Sequence, residues 1–432
     1  MENYKNIINS IIKKQSRICI IGLGYVGLPL AIEFINKKFN VFGYDTDIKK
    51  IKKIQLGKSY ISNFSDDIIK KMLKKNFFVT NKPSDLKSAD IIIFCLPTPL
   101  NNSKNPDLSH VRNCLKKFEP YFRENQVISF ESTSYPGTTE EIFEKFILKK
   151  NRILGVDSFL IYSPEREDPG NKKFPIRKIT KLVSAKTSNC LKVGTVLYSQ
   201  ICKKIYPIQN FKVAEMAKLL ENTYRAVNIG FINELKKISN GFGIDIFDVV
   251  KAASTKPFGF QAFYPGPGVG GHCIPVDPIY LGWKSKKLKL KTNFIDLSSK
   301  VNNSMPNYFV NKSVSILKKK NKNLKKFNFL ILGVTYKKNI DDIRESPSLK
   351  IIDILIKNGH KVSYSDPFVG HLKKKSFHLK SINLSKKKLK KFDAVAIITN
   401  HDQFNYDLIK DHSKLIIDTR GVFKIQKNIY RY

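Results

Sequence analysis

The sequence predicts an α/β protein in which two parallel-sheet domains are joined by a long central helix and a helical domain. A strand–turn–helix–strand pattern starts at Arg17 and recurs from about Phe327, and the stretch from about Val213 has helical periodicity. Chains that alternate strands with helices form parallel sheets, with ligand-binding groups at the carboxyl ends of the strands. The predicted domains are residues 1–210, 211–315 and 316–432.

The individual elements follow from apolar runs and the turns that end them. Residues 18–21 form an apolar run before a glycine-rich turn and a helical stretch, and a second apolar run, 41–44, follows. Further strands are predicted in ADIIIFCLPTP, ENQVISFESTSYPGTT and LIYSPER, and later in FNFLILG, FDAVAIITN and KLIIDTRG. The long helical stretch ends at Gly241, since glycine is typical of helix C-termini.

The composition indicates a globular protein with several packed cores. Hydrophobic residues make up 42% of the 432 positions, and no apolar run reaches the roughly 18 residues that a membrane span needs. The first residues lack the pattern of a secretory signal. Six cysteines, none spaced as CxxC, are too few for a disulfide scaffold. These features predict a cytoplasmic protein that does not contact a membrane.

The charge balance is strongly basic. Lys and Arg total 77 against 36 Asp and Glu, a formal net charge of +41. Such a surface raises the alternative of a nucleic-acid-binding protein. The lysines are scattered through the whole chain, however, which indicates a compositional bias rather than one groove for a duplex. We therefore expect no nucleic-acid partner, although an anionic small substrate would be attracted.

A GxGxxG motif follows the first predicted strand and opens a helix. Its glycines allow a tight turn and a close approach to pyrophosphate, and the helix N-terminus faces the phosphates. Asp45, at the end of the second strand, would bind the ribose hydroxyls and repel a 2′-phosphate. The unit predicts a Rossmann-like domain that binds NAD rather than NADP. The expected cofactor-binding residues here are Gly22, Gly24, Tyr25, Val26, Gly27, Asp45 and, in the proline-rich break that ends ADIIIFCLPTP, Thr98.

Two further patterns carry candidate chemistry. Lys218 and Asn222 share one helical face and could stabilise an oxyanion, although spacing alone favours a solvated lysine. In YPGPGVGGHCIPVDP, glycines surround Cys273, and Pro275 predicts the start of a helix whose N-terminus would stabilise the thiolate. Asp277 could orient water or take a proton. No metal is expected, because no second Cys/His pair at ligand spacing follows. Taken alone, Cys273 is more typical of a structural cysteine.

Six motifs occur in one order: GLGYVGLP, the EST turn, SPEREDPGN, AEMAKLLENTYRAVNI, PGPGVGGHCIPVDP and GVTYKKNIDDIRESPS. From about Arg17 onward the chain resembles the UDP-glucose/GDP-mannose dehydrogenase family, most closely its UDP-N-acetylglucosamine 6-dehydrogenase branch. The resemblance implies two successive NAD-dependent oxidations of a sugar C6 hydroxymethyl group to a carboxylate. It implies that Cys273 holds the aldehyde as a thiohemiacetal and then as a thioester. Lys218 and Asn222 would stabilise the oxyanion, and Asp277 would assist hydrolysis.

The resemblance also implies roles for residues outside that loop. Glu165 would act as a general base or position water, and Thr133 would hold the catalytic water and contact the cofactor. Lys337 would reach the substrate and Arg344 the cofactor. The implied substrate-binding residues are Glu165, Arg166, Lys218, Asn222, Tyr264, Gly266, Gly270 and Lys337.

Two positions depart from the UDP-glucose enzymes. Pro169 stands where those enzymes have a second glutamate, and Val276 where they have a lysine. Both departures favour a UDP-N-acetylhexosamine as substrate, with UDP-GlcNAc as the first choice. UDP-glucose, UDP-GalNAc and UDP-ManNAc remain alternatives, because the sequence does not distinguish sugar epimers. The family resemblance also implies a homodimer or larger homo-oligomer.

Overall fold

The computed structural model describes residues 3–61, 64–75, 77–167 and 174–432. By internal contacts it divides into two compact units, residues 1–221 with 279–289 and residues 222–278 with 290–432. None of the described helices has the length and apolar character that crossing a bilayer requires. The predicted α/β class is confirmed. The three predicted domain boundaries remain a prediction.

The first unit is built around a sheet of eight strands among the described residues, in the order β3-β2-β1-β4-β5-β6-β7-β8. The first six strands are parallel, in the order typical of dinucleotide-binding domains, and β7 runs antiparallel to β6. The strands are β1 Arg17–Ile21, β2 Asn40–Tyr44, β3 Phe78–Thr80, β4 Ile91–Phe94, β5 Gln126–Phe130, β6 Ser158–Tyr162, β7 Lys181–Ser184 and β8 Ile205–Ile208.

Helices cover this sheet, so its central strands are apolar on both faces, and β4 is buried at every residue. The α-helices of this part are α1 Asn3–Ile12, α2 Gly27–Asn36, α3 Ile48–Gln55, α4 Asp66–Lys74, α5 Ser109–Phe118, α6 Lys145–Leu148 and α7 Ser188–Ser199. A π-helix, Thr139–Glu144, precedes α6. The predicted long helix is α8, Phe211–Gly241, and it ends at Gly241 as expected.

The second unit contains a five-stranded, fully parallel sheet among its described residues, ordered β10-β9-β13-β14-β15. Its strands are β9 Asn328–Leu332, β10 Lys361–Ser365, β13 Ala394–Ile397, β14 Ile416–Asp418 and β15 Ile429–Arg431, with a hairpin of β11 His371–Lys374 and β12 Phe377–Lys380. The helices of this unit are α9 Ile246–Ala253, α11 Asn293–Lys320, α12 Pro347–Lys357, α13 Lys386–Leu389 and α14 Tyr406–His412, whereas α10, Asp277–Lys287, belongs to the first unit from residue 279 onward. One face of this sheet packs on α11 and α12 through a core that includes Phe309, Phe329 and Ile352.

Candidate active site

The glycine motif forms the turn between β1 and α2. Gly22 has φ +89°, and a Cβ there would lie 2.5 Å from the carbonyl oxygen of Cys95. A Cβ on Gly27 would lie 2.0 Å from the carbonyl oxygen of Gly22, whereas Gly24 faces open space. Only glycine fits the first and last positions, and the middle one leaves room for a ligand to approach the backbone.

Asp45 lies beside this turn, directly after β2. Its Oδ2 accepts the backbone N–H of Leu23 at 2.9 Å, and Lys50 Nζ lies 3.2 Å from the same oxygen. Among the described residues no side chain caps the N-terminus of α2, which begins after Tyr25 and Val26. The turn, the helix N-terminus and the carboxylate therefore form the set that binds a pyrophosphate and a ribose.

The turns after β4 and β5 are tied together at the same edge of the sheet. The hydroxyl of Thr98 donates to the carbonyl oxygen of Thr133 at 2.8 Å, and the hydroxyl of Ser132 donates to that of Leu96 at 2.6 Å. Tyr280, on α10, donates its phenol proton to the carbonyl oxygen of Thr98 at 3.0 Å. Thr98 and Thr133, predicted from distant motifs, are thus neighbours.

Glu165 and Arg166 follow β6 in this unit. Glu165 Oε1 accepts the backbone N–H groups of Arg166 and Glu167, at 2.7 Å and 2.5 Å. The guanidinium of Arg166 lies 2.7 Å from Glu221 and donates to the carbonyl oxygen of Thr180. Arg166 is therefore already held by a carboxylate, which sequence reasoning did not anticipate. Pro169 lies outside the described residues.

Glu131 and Lys181 are two buried charges that sequence reasoning missed. Lys181 Nζ lies 2.5 Å from Glu131 Oε2, and Tyr198 donates its phenol proton to the other oxygen of Glu131. Burial raises the pKa of Glu131, against the lowering effect of Lys181. Burial by itself would lower the pKa of Lys181, but the charges of Glu131 and Glu165 raise it overall. Lys181 opens a strand as a charged residue, a signal that could have indicated a buried partner.

Cys273 lies in a turn of the second unit, where it is partly buried. Its carbonyl oxygen accepts the backbone N–H groups of Val276 and Asp277 at 3.0 Å and 2.8 Å. Helix α10 begins at Asp277, so the prediction of a helix start at Pro275 is wrong by two residues. The thiol therefore belongs to the turn that leads into α10, because the chain needs residues 273–276 to close that turn.

Asn222 and Asp277 form a buried pair in the same unit. Asn222 Nδ2 donates to Asp277 Oδ2 at 2.6 Å, and the two residues are 7% and 2% exposed. Lys218 lies four residues before Asn222 on α8 and is also buried, at 7% exposed. The simple alternative of a solvated lysine is therefore wrong. A buried amide and ammonium on one helical face are donors suited to a developing negative charge.

The glycine loop before Cys273 packs on the loop after β9. The N–H of Gly271 donates to the carbonyl oxygen of Arg344 at 3.0 Å. A Cβ on Gly270 would lie 2.7 Å from Tyr336 Cβ and 2.9 Å from the carbonyl oxygen of Glu345. The loop after β9 also carries Lys337, so predicted substrate residues from two motifs are adjacent.

Other predicted substrate residues lie nearby in the second unit. The N–H of Gly266 donates to Asn233 Oδ1 at 2.9 Å, and a Cβ there would lie 3.3 Å from Arg420 Nη1. Tyr264 is half exposed and stacks on Phe247. Arg420 was not predicted, although its position in DTRG, directly after β14, could have indicated it. Burial lowers the pKa of Arg420 to about 10.

Comparison with known proteins agrees with this arrangement. The chain matches, in order, the NAD binding domain of the UDP-glucose/GDP-mannose dehydrogenase family over residues 16–202, its central domain over 212–304 and its UDP binding domain over 330–425. The chain belongs to this family. It is an NAD-dependent dehydrogenase, and the glycine turn, α2 and Asp45 fit NAD, with open space at Gly24.

Similar proteins include enzymes for two different sugars. UDP-N-acetyl-D-glucosamine 6-dehydrogenase of Salmonella typhi is 34% identical, covering 90% of this chain and 91% of that protein. UDP-N-acetyl-D-mannosamine dehydrogenase of Methanococcus vannielii is also 34% identical, covering 95% and 94%. The structure of a UDP-D-ManNAc dehydrogenase from Pyrococcus horikoshii has a TM-score of 0.85 and 30% identity, covering 95% of this chain and 96% of that one.

Proposed function

We propose that this protein oxidises the C6 hydroxymethyl group of a UDP-N-acetylhexosamine to a carboxylate. The observation that supports the proposal is the buried hydrogen bond between Asn222 and Asp277, together with the 2.8 Å hydrogen bond from the N–H of Asp277 to the carbonyl oxygen of Cys273. NAD, when bound, accepts a hydride in each of two oxidations. Those oxidations together remove four electrons and give the UDP-uronic acid.

Cys273 is the nucleophile in this proposal. Its sulfur adds to the aldehyde made by the first oxidation, which gives a thiohemiacetal that retains a C–H bond for the second. The product of the second oxidation is a thioester on Cys273. Lys218 and Asn222 donate hydrogen bonds to the oxygen that becomes negative in these steps, and their burial strengthens that interaction.

Water then releases the acid. Asp277 and Glu165 are the carboxylates that assist proton transfer, and Thr133 holds the water. Lys337 and Arg166 bind the nucleotide sugar, and Arg344 binds the cofactor. Lys337 is supported by its position on the loop that packs against the Cys273 loop. For Arg166, the ion pair with Glu221 must rearrange or accept the sugar as a third partner.

UDP-GlcNAc is the substrate that we put first, and UDP-ManNAc is the second candidate. Pro169 and Val276 support an N-acetylhexosamine over glucose, since both differ from the residues of the UDP-glucose enzymes. Relatives named for GlcNAc and for ManNAc are equally similar to this chain, which supports keeping both. The two sugars are C2 epimers, so the orientation of one N-acetyl group decides between them.

We further propose that the protein is a cytoplasmic homodimer with three domains near 1–210, 211–315 and 316–432. Helix α8 supports a dimer, because six of its large apolar side chains are exposed, and Tyr224, Phe231 and Ile238 among them recur at intervals of seven residues. Such a stripe is typical of a helix that packs on another helix. A reducing compartment suits a thiol nucleophile.

The test is a direct assay of purified protein with NAD and each UDP-sugar. We expect NADH absorbance with UDP-GlcNAc or UDP-ManNAc, two NADH per sugar, and much slower turnover of UDP-glucose. One NADH per sugar would contradict the double oxidation. The absence of NADH with every UDP-sugar, together with salt-dependent retention on DNA, would instead favour the nucleic-acid-binding alternative.

A further inference from the structure

A cluster of three charged side chains lies at the carboxyl ends of β5 and β6 in the first unit. Glu131 follows β5, Glu165 lies in the segment after β6, and Lys181 is the first residue of β7. The side chains of Glu131 and Lys181 are 0% and 4% exposed, and their charged atoms are 2.5 Å apart. Charges this deeply buried persist in a fold only when they are paired. Glu131 and Lys181 therefore form a buried ion pair with no net charge.

Lys181 also lies near Oε2 of Glu165, the carboxylate oxygen that the backbone N–H groups do not bind. Its Nζ lies 3.8 Å from Glu165 Oε2, while Oε1 is held by two backbone N–H groups. Oε2 is buried and accepts no hydrogen bond from the described residues. The ammonium thus supplies the positive charge on the side of the carboxylate that remains available.

We propose that Lys181, with Glu131 as its counter-ion, is a positioning residue that orients the carboxylate of Glu165. The proposal rests on the proposed function, in which Glu165 receives a proton from the water that hydrolyses the Cys273 thioester. In that step the water oxygen bonds to the carbonyl carbon and the C–S bond breaks. Glu165 takes up one water proton, the other is released with the acid, and the sulfur leaves as the thiolate.

The surroundings explain why a cation is needed there. Glu167 lies two residues from Glu165, and burial together with repulsion from the Glu165 carboxylate raises the pKa of Glu167 to about 7. Lys181 offsets this repulsion because it is within reach of the Glu165 carboxylate. The titratable and charged side chains around the cluster are Glu33, Cys95, Arg177, Tyr198, Cys202 and the Arg166–Glu221 pair.

Two variants separate the effect of Lys181 from that of its counter-ion. In Glu131→Gln, Lys181 keeps its position 3.8 Å from Glu165, so uronate release should stay close to the wild-type rate. In the double variant Glu131→Gln/Lys181→Met no cation faces Glu165 Oε2, so the carboxylate loses the contact that orients it. Uronate release in the double variant should slow about tenfold or more, since a general base contributes at least that much.

Further readouts separate positioning from a structural effect. The thioester on Cys273 should accumulate in the double variant, seen by mass spectrometry of quenched enzyme, while KM for the sugar stays unchanged. Adding Glu165→Gln to the double variant should slow release less than the same change does in the wild type, because residues that act through one another are not additive. The matched control is Glu144→Gln/Lys186→Met, an ion pair with a 2.5 Å separation in the same unit, which should keep the wild-type rate.

The outcomes distinguish this proposal from the proposed function. A wild-type protein that makes no NADH with any UDP-sugar contradicts the proposed function itself. An active wild type, a slow Glu165→Gln and a double variant that releases uronate at the wild-type rate would overturn the role of Lys181. If circular dichroism shows that the double variant is unfolded, Glu131→Gln/Lys181→Gln, which keeps a polar side chain at both positions, decides instead.

Discussion

Backbone hydrogen bonds to the carbonyl oxygen of Cys273 fix the position of this residue in the turn before α10. Its carbonyl oxygen accepts the hydrogen bonds that close the turn into α10. The glycines before it have no side chain, so the loop packs directly against Tyr336 and the backbone of Arg344 and Glu345. The thiol, the amide of Asn222 and the carboxylate of Asp277 thus belong to one unit of the chain. At this scale, the identity of single side chains decides both chemistry and packing.

The first residue-scale prediction concerns the nucleophile. Cys273→Ser should abolish uronate formation or slow it severely, because a hydroxyl forms no thioester, while NAD binding measured by calorimetry is retained. Cys114→Ser is the matched control, a partly buried cysteine on α5 whose thiol pKa burial raises to about 12. Acid production by Cys273→Ser at the wild-type rate would show that covalent trapping is wrong.

A second prediction concerns the loop that carries this cysteine. Gly270→Ala should lower the free energy of unfolding by about 1–3 kcal/mol, because its Cβ would meet Tyr336 and a backbone carbonyl at under 3 Å. Gly241→Ala, at the end of α8 with no atom within 4 Å of the new Cβ, should leave stability unchanged or raise it slightly. Urea unfolding of both variants measures the difference, and equal stabilities would contradict the predicted clash.

At the scale of elements, α8 ties the turn after β5 to the π-helix. The buried carboxylate of Glu215 accepts the N–H of Gly137, and the N–H and hydroxyl of Thr139, at 2.5–2.8 Å. Burial raises the pKa of Glu215 to about 7. The folded protein therefore binds a proton here that the unfolded chain has lost above about pH 4.3.

Glu215 makes the free energy of unfolding depend on pH. The contribution of Glu215 to stability is full below its unfolded pKa and is lost as pH rises through about 7. Glu215→Gln should remove this loss, so the free energy of unfolding of the wild type should fall more steeply between pH 5 and 7, by about 1 kcal/mol per pH unit. Glu119→Gln, in a surface ion pair with Lys150, should keep the wild-type slope. Identical slopes in all three proteins would show that Glu215 does not titrate in this range.

At the scale of the whole molecule, each sheet places its glycine turn where the strand order reverses. Gly22 follows β1, between β2 and β4 in the first sheet, and Gly333 follows β9, between β10 and β13 in the second. A ligand has space there because the helices after neighbouring strands lie on opposite faces. Each sheet thus presents one position of the kind at which nucleotides bind in α/β proteins.

The exposed stripe on α8 makes a prediction at the same scale. Phe231→Glu with Ile238→Glu should convert the proposed dimer to a monomer in light scattering after size exclusion, because two charges would enter an apolar interface. Leu56→Glu, at an exposed leucine in the first unit, should remain dimeric. A wild type that runs as a monomer, or an unchanged mass for the stripe variant, would contradict the dimer model.

The sequence by itself determined the α/β class, the NAD motif and the family, because each depends on local order along the chain. Strand and helix periodicity and the GxGxxG turn need only neighbouring residues. It also identified Lys218, Asn222 and Cys273 as candidate catalytic residues, although spacing alone favoured a solvated Lys218 and a structural Cys273.

Only the tertiary structure decided which of these side chains are buried and paired. The structure shows that Lys218 is buried rather than solvated and that Asn222 donates a hydrogen bond to Asp277. It also shows that α10 begins at Asp277. It also revealed Glu131 and Lys181, which are 50 residues apart in sequence yet share one ion pair. Such pairs are invisible in sequence because desolvation and charge depend on what packs around a group, not on what precedes it.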